Sequence, residues 1–429
     1  MSFYSDEEVQ TLYFDPNTFV QPTNANINGR CTFELDGTKL AYLPNMRLLN
    51  VGVVADSPMI YNPLVGAYAT INSIRLLDGA TELSGLTNVQ LYRGFLNANS
   101  SNSKRESVGS SLSQSSLGWT VQGADNRIGR VAQINTANTG ATNNLPSFQG
   151  YLKLSEVFPI LNSLTHLPTA VFKNLNIVIE TTASLTAQVL QDVSVAFTGS
   201  RPLLACDILV NPAIVNKLNG ALNNARWLEV EHDRFNIPQT ATNGSATDQG
   251  IVQNVDVTIN GFNNKHLERV VIVKEVSDAT TTLDTASVNG LGRWTSVACF
   301  KQTVQFRLNG RNILPRAGIV GDNERLAYVV DTYGDCLAYP NSNRYSVTDV
   351  VAGNTLVNGV KYTGQLDYIA CYLGAYINNL QINYSRQGLH STDASRPTTE
   401  LLFAHVFGEV AKTLVVNGDN SYNIVYSQN

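Results

Sequence analysis

Short runs in which apolar and polar residues alternate dominate the chain. Cys31-Thr-Phe-Glu-Leu35, Val255-Asp-Val-Thr-Ile259 and Gln302–Leu308 alternate with period two, as do Val171–Ile179 and Asn378–Tyr384. Leu414–Val416 and Tyr422–Tyr426 add two more runs near the end. Successive side chains of a strand point to opposite faces, so alternation bounded by Gly, Asn, Asp and Pro predicts half-buried antiparallel strands. Many such strands in each half point to sandwiches. A parallel sheet would need a helix between each pair of strands, and the pattern does not supply them.

Helical spacing is rare. Leu154–Leu164 has a Ser before an apolar-periodic run, and its interior Pro159 must shorten or kink any helix there. Asn211–Leu222 is better equipped, with Asn211 as cap, Pro212 in the first turn and apolar residues at helical spacing. Thr348–Val351 is too short to assign. The reading is an all-β protein with a few short helices.

The pattern is also duplicated. Ile74-Arg-Leu-Leu-Asp-Gly79 is followed by Leu83, Gly85, Asn88, Leu91 and Tyr92. Phe306-Arg-Leu-Asn-Gly310 is followed by Leu314, Gly318, Asn323, Leu326 and Tyr328. Each passage brings an apolar run into a turn glycine and ends in an Asn-x-x-Leu step toward an aromatic segment. Lys173-Asn-Leu-Asn-Ile-Val-Ile179 matches Asn378-Asn-Leu-Gln-Ile-Asn-Tyr384, and Phe33-Glu-Leu-Asp-Gly37 matches Thr258-Ile-Asn-Gly261. All three pairs occur in the same order at a separation of about half the chain, which marks a duplicated domain rather than a short-period solenoid.

A chain of 429 residues suits two domains of about 200 residues each. The first is read as 23–205, with a long Ser/Asn-rich loop at about 97–144 that carries Trp119. A bridging helix or linker occupies 206–226, the second domain 227–429, and Gln239–Gln249 is a smaller polar loop. Insertions of that length are functional surface loops or disordered segments.

Composition narrows the function classes. Charged residues make up 15% of the chain, against roughly 25% in ordinary soluble domains, so Asn, Ser, Thr and Gln carry the polar surface. Low charge suits a protein packed against copies of itself. A net charge of -5 argues against a dedicated nucleic-acid surface. Cys31, Cys206, Cys299, Cys336 and Cys371 are scattered and odd in number, as expected of buried reduced thiols rather than a disulfide or zinc framework. Met1–Glu8 lacks the basic and apolar regions of a signal peptide, and no run approaches 18 apolar residues. The expectation is synthesis inside the cell without secretion.

Catalytic chemistry is hard to find. The sequence contains no P-loop, HExxH or GxSxG, and its histidines lie far apart. Glu229, Glu231, His232 and Asp233 form the densest titratable cluster; on a strand Glu229 and Glu231 share a face, as a glycosidase pair or cation site would, or as a solvated strand end would. Arg75 and Arg307 recur at similar places, either to pair across a subunit interface or to lay their stems along apolar surface. Asn99, Asn243 and Asn383 stand in glycosylation-type triplets, which are frequent in an Asn/Ser-rich chain. No catalytic, cofactor-binding or metal residue is assigned.

The tandem repeats around Gly79 and Gly310, and around Leu175 and Leu380, resemble the double jelly-roll major capsid proteins of tailless icosahedral double-stranded DNA viruses, the group of tectiviruses, virophages and polinton-like viruses. Leu154–Leu161, leading through Leu167 to the strand at Val171, is similar to the helix such rolls carry before their penultimate strands, and the element near Pro212 is similar to the linker between rolls. The resemblance covers about residues 20 to 429. It implies two tandem eight-stranded antiparallel jelly rolls, a homotrimer whose six rolls make a pseudo-hexagonal tile, and a virion shell built from such capsomers with penton and minor capsid proteins. The loop at 97–144 would be a tower or clasp. Met1–Pro22 would be an N-terminal arm, its Phe3, Tyr4, Leu12, Tyr13 and Phe14 contacting neighbours or an internal membrane. The alternative is a two-domain β-sandwich that binds carbohydrate or cleaves glycosides, using the Glu229–Asp233 cluster.

Overall fold

The computed structural model describes residues 8–21, 29–51, 53–55, 59–61, 68, 70–98, 132–134, 150–181, 197–199, 201–220, 222–237, 249–276, 299–315, 318–320, 322–333, 355–357, 360–362, 368–389 and 402–427. Trp119, Cys336, Asn99, Asn243, Thr348–Val351 and most of the two polar loops lie outside them. Within the longer loop, Ala132–Ile134 forms a short strand paired with Met59–Tyr61.

The first half contributes β1 (Val9–Phe14), β2 (Arg30–Glu34), β3 (Arg47–Val51), β4 (Ile71–Asp78), β5 (Thr81–Thr87), β6 (Gly150–Lys153), β7 (Leu175–Thr181) and β8 (Leu203–Leu209). The second contributes β9 (Arg226–Ile237), β10 (Gln249–Ile259), β11 (Lys265–Val276), β12 (Cys299–Leu308), β13 (Arg311–Asn312), β14 (Tyr368–Ile377), β15 (Leu380–Leu389) and β16 (Leu402–Val416). In the first half one sheet contains the order β1-β8-β3-β6 and the other β2-β7-β4-β5; the short strands Ala41–Tyr42, paired with β8, and Leu167–Pro168 extend the first, and Thr18–Val20, paired with β2, extends the second. In the second the orders are β9-β16-β11-β14 and β10-β15-β12-β13. Adding eight to each label of the first half gives the second. Every pairing is antiparallel, and two facing sheets with this order make an eight-stranded jelly roll.

The sequence repeats are equivalent in register. Leu175 opens β7 opposite Asp78, and Leu380 opens β15 opposite Leu308. Their neighbours Asn176 and Gln381 face Glu34 and Thr258, which aligns the passages ending at Gly37 and Gly261 residue for residue. The hairpin after β4 is Gly79-Ala80 and the one after β12 is Asn309-Gly310, with Gly79 N–H bonded to Asn174 O and Asn309 N–H to Asn379 O, both at 2.9 Å. The turns are equivalent but their glycines are one place apart. Asn309 and Gly310 both have positive φ (51° and 80°), the demand of an Asn-Gly I′ turn, whereas Gly79 alone does (59°), as where Gly takes the first central position.

Two expectations change. Val9–Phe14 is not part of an arm: it pairs with β8 over its whole length and turns Leu12 and Phe14 onto the core, leaving Tyr13 outside. The Asn-x-x-Leu steps lead into helices, α1 (Val89–Ala98) after Asn88 and, in the second half, one spanning Asp322–Tyr333. Val89, Tyr92, Phe95 and Leu96 have helical spacing that the surrounding strand pattern masks. The helices expected from the sequence are both present: α2 (Ile160–Ser163) begins directly after Pro159, and α3 (Pro212–Asn219) has Asn211 accepting from Ala213 N–H at 3.0 Å. The helix at Asp322–Tyr333 is α4. Helix α3 packs Val215 on Ala41, Leu43 and Leu209 at one end of the first roll.

The core continues from one roll into the other. In β11, Val270 and Ile272 enter the second roll's own core, while Val271 and Val273 join the first roll's. In β16, Ala404, Val406 and Val410 face inward and Phe407 faces the first roll; in β14, Ile369 and Cys371 face inward and Ala370 outward. A last strand, β17 (Tyr422–Tyr426), pairs with β16 beyond the end of β11.

Backbone geometry separates two of the repeated glycines. A Cβ on Gly310 would meet nothing within 4 Å, whereas one on Gly318 (φ 101°) would collide with the backbone carbonyl of Val304. Gly310→Ala should therefore cost about 1 kcal/mol, the left-handed backbone penalty alone, and Gly318→Ala upwards of about 3 kcal/mol. Equal shifts of the denaturation midpoint for the two variants would contradict this.

Candidate functional site: the seam between the rolls

Edge strand β5 of the first roll and edge strand β9 of the second meet side by side. Unpaired edges expose backbone donors that invite unwanted pairing. Here Glu229 of β9 closes the gap. Its carboxylate accepts Gly85 N–H at 3.1 Å, Ser84 O–H at 2.9 Å and the Trp227 indole N–H at 2.7 Å. The side chain is buried, and burial pushes the carboxyl above its ordinary range, against the pull of Lys412 and the three donors.

Glu231 lies on the same face, as strand geometry requires. It accepts from Lys265 at 2.5 Å, Lys412 at 3.3 Å and the Tyr426 hydroxyl at 2.9 Å. Both ammonium groups also sit over the Tyr426 ring, at 4.7 and 5.2 Å. This cluster fastens β17 to the second roll. From the same strand, Tyr422 reaches the first roll, donating to Asp78 at 2.9 Å with its ring centroid 5.0 Å from that of Phe172.

On the opposite face of β9, His232 stacks on His405 with ring centroids 5.2 Å apart and His232 Nε2 3.0 Å from His405 Nδ1. Asn88, just before α1, places its amide nitrogen 3.2 Å from the same His232 nitrogen. Burial, then His405 and Arg234, pushes the His232 imidazole down to about 3. Next along the face, the Tyr92 hydroxyl of α1 donates to Glu409 at 2.9 Å, and Glu409 takes Arg269 Nε at 2.7 Å. Arg269 also donates to Thr332 O and lies over the Tyr333 ring at 4.8 Å, while Phe95 meets that ring edge-on, also at 4.8 Å. Burial, then the Glu409 charge, keeps the Tyr92 phenol protonated and donating. A cleft of about 330 Å³ follows the seam, lined by Leu86, Tyr92, Glu156, Val157, Leu228 and Val230.

The sequence cluster at Glu229–Asp233 is thus structural wiring. All four oxygens of Glu229 and Glu231 are engaged, and Asp233 accepts from Arg234 N–H and Gly261 N–H. Among the described residues no group of three or more His, Cys, Asp or Glu side chains is arranged to hold a metal ion. Arg75 and Arg307 pair within the chain, with Glu180 at 3.3 Å and Asp256 at 3.6 Å. Cys31, Cys206 and Cys371 are buried and unpaired, and burial pushes Cys31 and Cys371 up to about 12. Tyr92, Glu409 and Tyr422 have no signal of their own in the sequence, although Tyr92 closes the repeated Asn-x-x-Leu step. No helix among the described residues is long and apolar enough to cross a membrane.

Two tandem jelly rolls of one topology, joined through a shared core, define the class of fold. Neither the sequence profiles of known protein families nor the sequences of curated proteins match the chain. Solved structures do. The mavirus major capsid protein superposes with a TM-score of 0.57 at 10% identity, over 99% of this chain and 91% of that one. A chain of the Sputnik virophage gives 0.56 at 10% identity, with the same coverage. The fold is that of the double jelly-roll major capsid proteins.

Histidine burial at the seam has a pH signature. An unfolded imidazole takes its proton near pH 6.5, whereas folded His232 resists until about 3. Unfolding therefore takes up a proton in this window, and stability is lost as pH falls from about 6.5 toward about 3. Glu229 acts in the opposite sense: its raised carboxyl contributes stability at low pH that is lost as pH rises through its folded value. Melting temperatures of His232→Gln should fall less steeply than wild type between pH 6.5 and 4; parallel slopes would remove His232 as the source.

Glu229→Ala would leave Gly85 N–H, Ser84 O–H and the Trp227 N–H without their acceptor. A loss of about 3 kcal/mol is expected, with faster amide exchange in β5; a change below about 0.5 kcal/mol would show that the seam does not depend on this carboxylate.

Proposed function

We propose that the chain is the major capsid protein of an icosahedral virus, working as a homotrimer in the virion shell. The observation that carries this reading is the identical pairing order of the two rolls, joined through one continuous core. A duplicated roll with a fixed relation between its halves lets three chains present six similar sides. Such a tile can meet neighbouring tiles on every edge, with penton and minor capsid proteins at the special positions. The two solved structures compared above are a virus major capsid protein and a chain of a virophage particle.

The energetics suit assembly. An interface of standard size buries about 1,600 Å² in total, and a tile repeats it along each edge. Single contacts stay reversible while the closed shell is held by many. Low charge limits repulsion between identical edges, and the net charge of -5 gives no reason to propose a specific nucleic-acid contact. A glycoside-cleaving reading would need Glu229 and Glu231 turned to a substrate, and six donors already occupy them.

Purified protein should scatter light as a trimer of three 46.7 kDa chains, about 140 kDa, or as shells visible by electron microscopy. A chain that stays monomeric at every concentration tested would overturn the proposal.

A further inference from the structure

Two histidine contacts lie where the rolls and their bridge are joined, and they differ in what each ring nitrogen meets. His166, fully buried, ties the bridge to the first roll. Its Nδ1 lies 3.0 Å from Thr165 Oγ1, and its Nε2 lies 3.0 Å from Oδ1 of Asn219, the last residue of α3. Both partners are oxygens, and an oxygen accepts from an N–H whether the ring is neutral or charged. His232 and His405 meet each other instead. Their nitrogens, 3.0 Å apart, hold one proton between them, one ring donating and the other accepting. Once both rings are charged every ring nitrogen is a donor, and the contact has lost its acceptor.

The surroundings sharpen this difference. Arg234 of β9 lies directly opposite His405 and adds its positive charge beside His232. On the same face of β16, the acid Glu409 is held by Arg269 of β11 and Tyr92 of α1. Phe407, with its ring centroid 5.0 Å from that of His232, and Val273, opposite His405 on β11, are apolar. The contact reaches the first roll through Asn88. The side-chain nitrogen of Asn88 lies 3.2 Å from His232 Nε2, and its backbone carbonyl accepts Leu91 N–H at 3.0 Å and Tyr92 N–H at 3.3 Å, the first turn of α1. The state of the imidazole pair is thus one residue away from the start of the helix that joins the rolls.

We propose that the His232–His405 contact is an acid-operated catch between the rolls: when both rings are charged it opens, and Asn88 with the first turn of α1 comes away from β9 and β16 before either roll unfolds. The inference concerns the single chain and does not depend on the capsid reading. Its sign follows from linkage. The open form takes up protons near the ordinary imidazole value of about 6.5, and the closed form resists them, so opening is favoured as pH falls. Each proton taken up raises the open population about tenfold per pH unit. His166 has no such response through its contacts, because Asn219 and Thr165 accept from the charged ring as well.

Hydrogen exchange of the full chain tests the catch. Between about pH 6.5 and about pH 4.5, the protection of the Leu91 and Tyr92 amides should fall at least about tenfold, after correction for the intrinsic pH dependence of exchange, while amides in the central strand β15 keep theirs. His405→Gln replaces one ring with a group whose oxygen accepts, so a charged His232 keeps its partner. In that variant the gap in protection between α1 and β15 should not widen on acidification. The wild-type measurement decides alone where the variant does not fold: protection of Leu91 and Tyr92 that is unchanged, or that falls in step with β15, overturns the catch. A folded His405→Gln chain that releases α1 as steeply as wild type overturns it too.

Discussion

A sheet that is apolar on both faces has no stable place at a protein surface, and the second roll contains one. Val270 to Val273 alternate between two cores, and Ala404 to Val410 are all buried. Removing so much apolar area from water is the dominant favourable term in folding, and it is available here only while the first roll stays in place. The two rolls therefore form one folding unit across the seam rather than beads on a linker. The short bridge around α3 is enough, because the orientation of the rolls is set by what β9, β16 and β11 must bury.

Polar groups at the seam do a different job. Buried ion pairs such as Glu409 with Arg269 stabilise little in net terms, because desolvation offsets most of their attraction. Their geometry is demanding, however. Glu229 fits only when Ser84 and Gly85 arrive together, and Tyr92 reaches Glu409 only when α1 lies along Phe407. Apolar burial draws the rolls together, and these directional contacts choose one register among the many that burial would accept.

Much of this was legible in the sequence because topology leaves local marks. Alternation exposed the strands, and the passages around Gly37, Gly79 and Leu175 found their partners around Gly261, Gly310 and Leu380 because strand starts and turns constrain residue type. The helices α1 and α4 were hidden by aromatic residues that suit strands equally well. The first strand passed for an arm because its partner, β8, lies almost two hundred residues away. Glu229 and Glu231 looked like candidate chemistry for the same reason: sequence shows that carboxylates share a face, but only the fold shows that donors from β5, β11, β16 and β17 converge on them.

The differences between the halves carry as much meaning as the likeness. Equivalent turns use different glycine positions, Arg75 and Arg307 stand two places apart in the aligned strands, and Arg269 lies directly opposite its partner Glu409 whereas Arg47 lies two residues out of register with its partner Asp207. Identical halves would have identical neighbours, and would gain nothing from separate genetic control of each face. These halves have different surroundings already within one chain, since the sheet of the second roll is covered by the first and its counterpart is not. Conserving the pairing order while varying the outward side chains lets one architecture present two distinct surfaces. That is the economy of a duplicated roll: similar shape for regular packing, and separate chemistry for each contact.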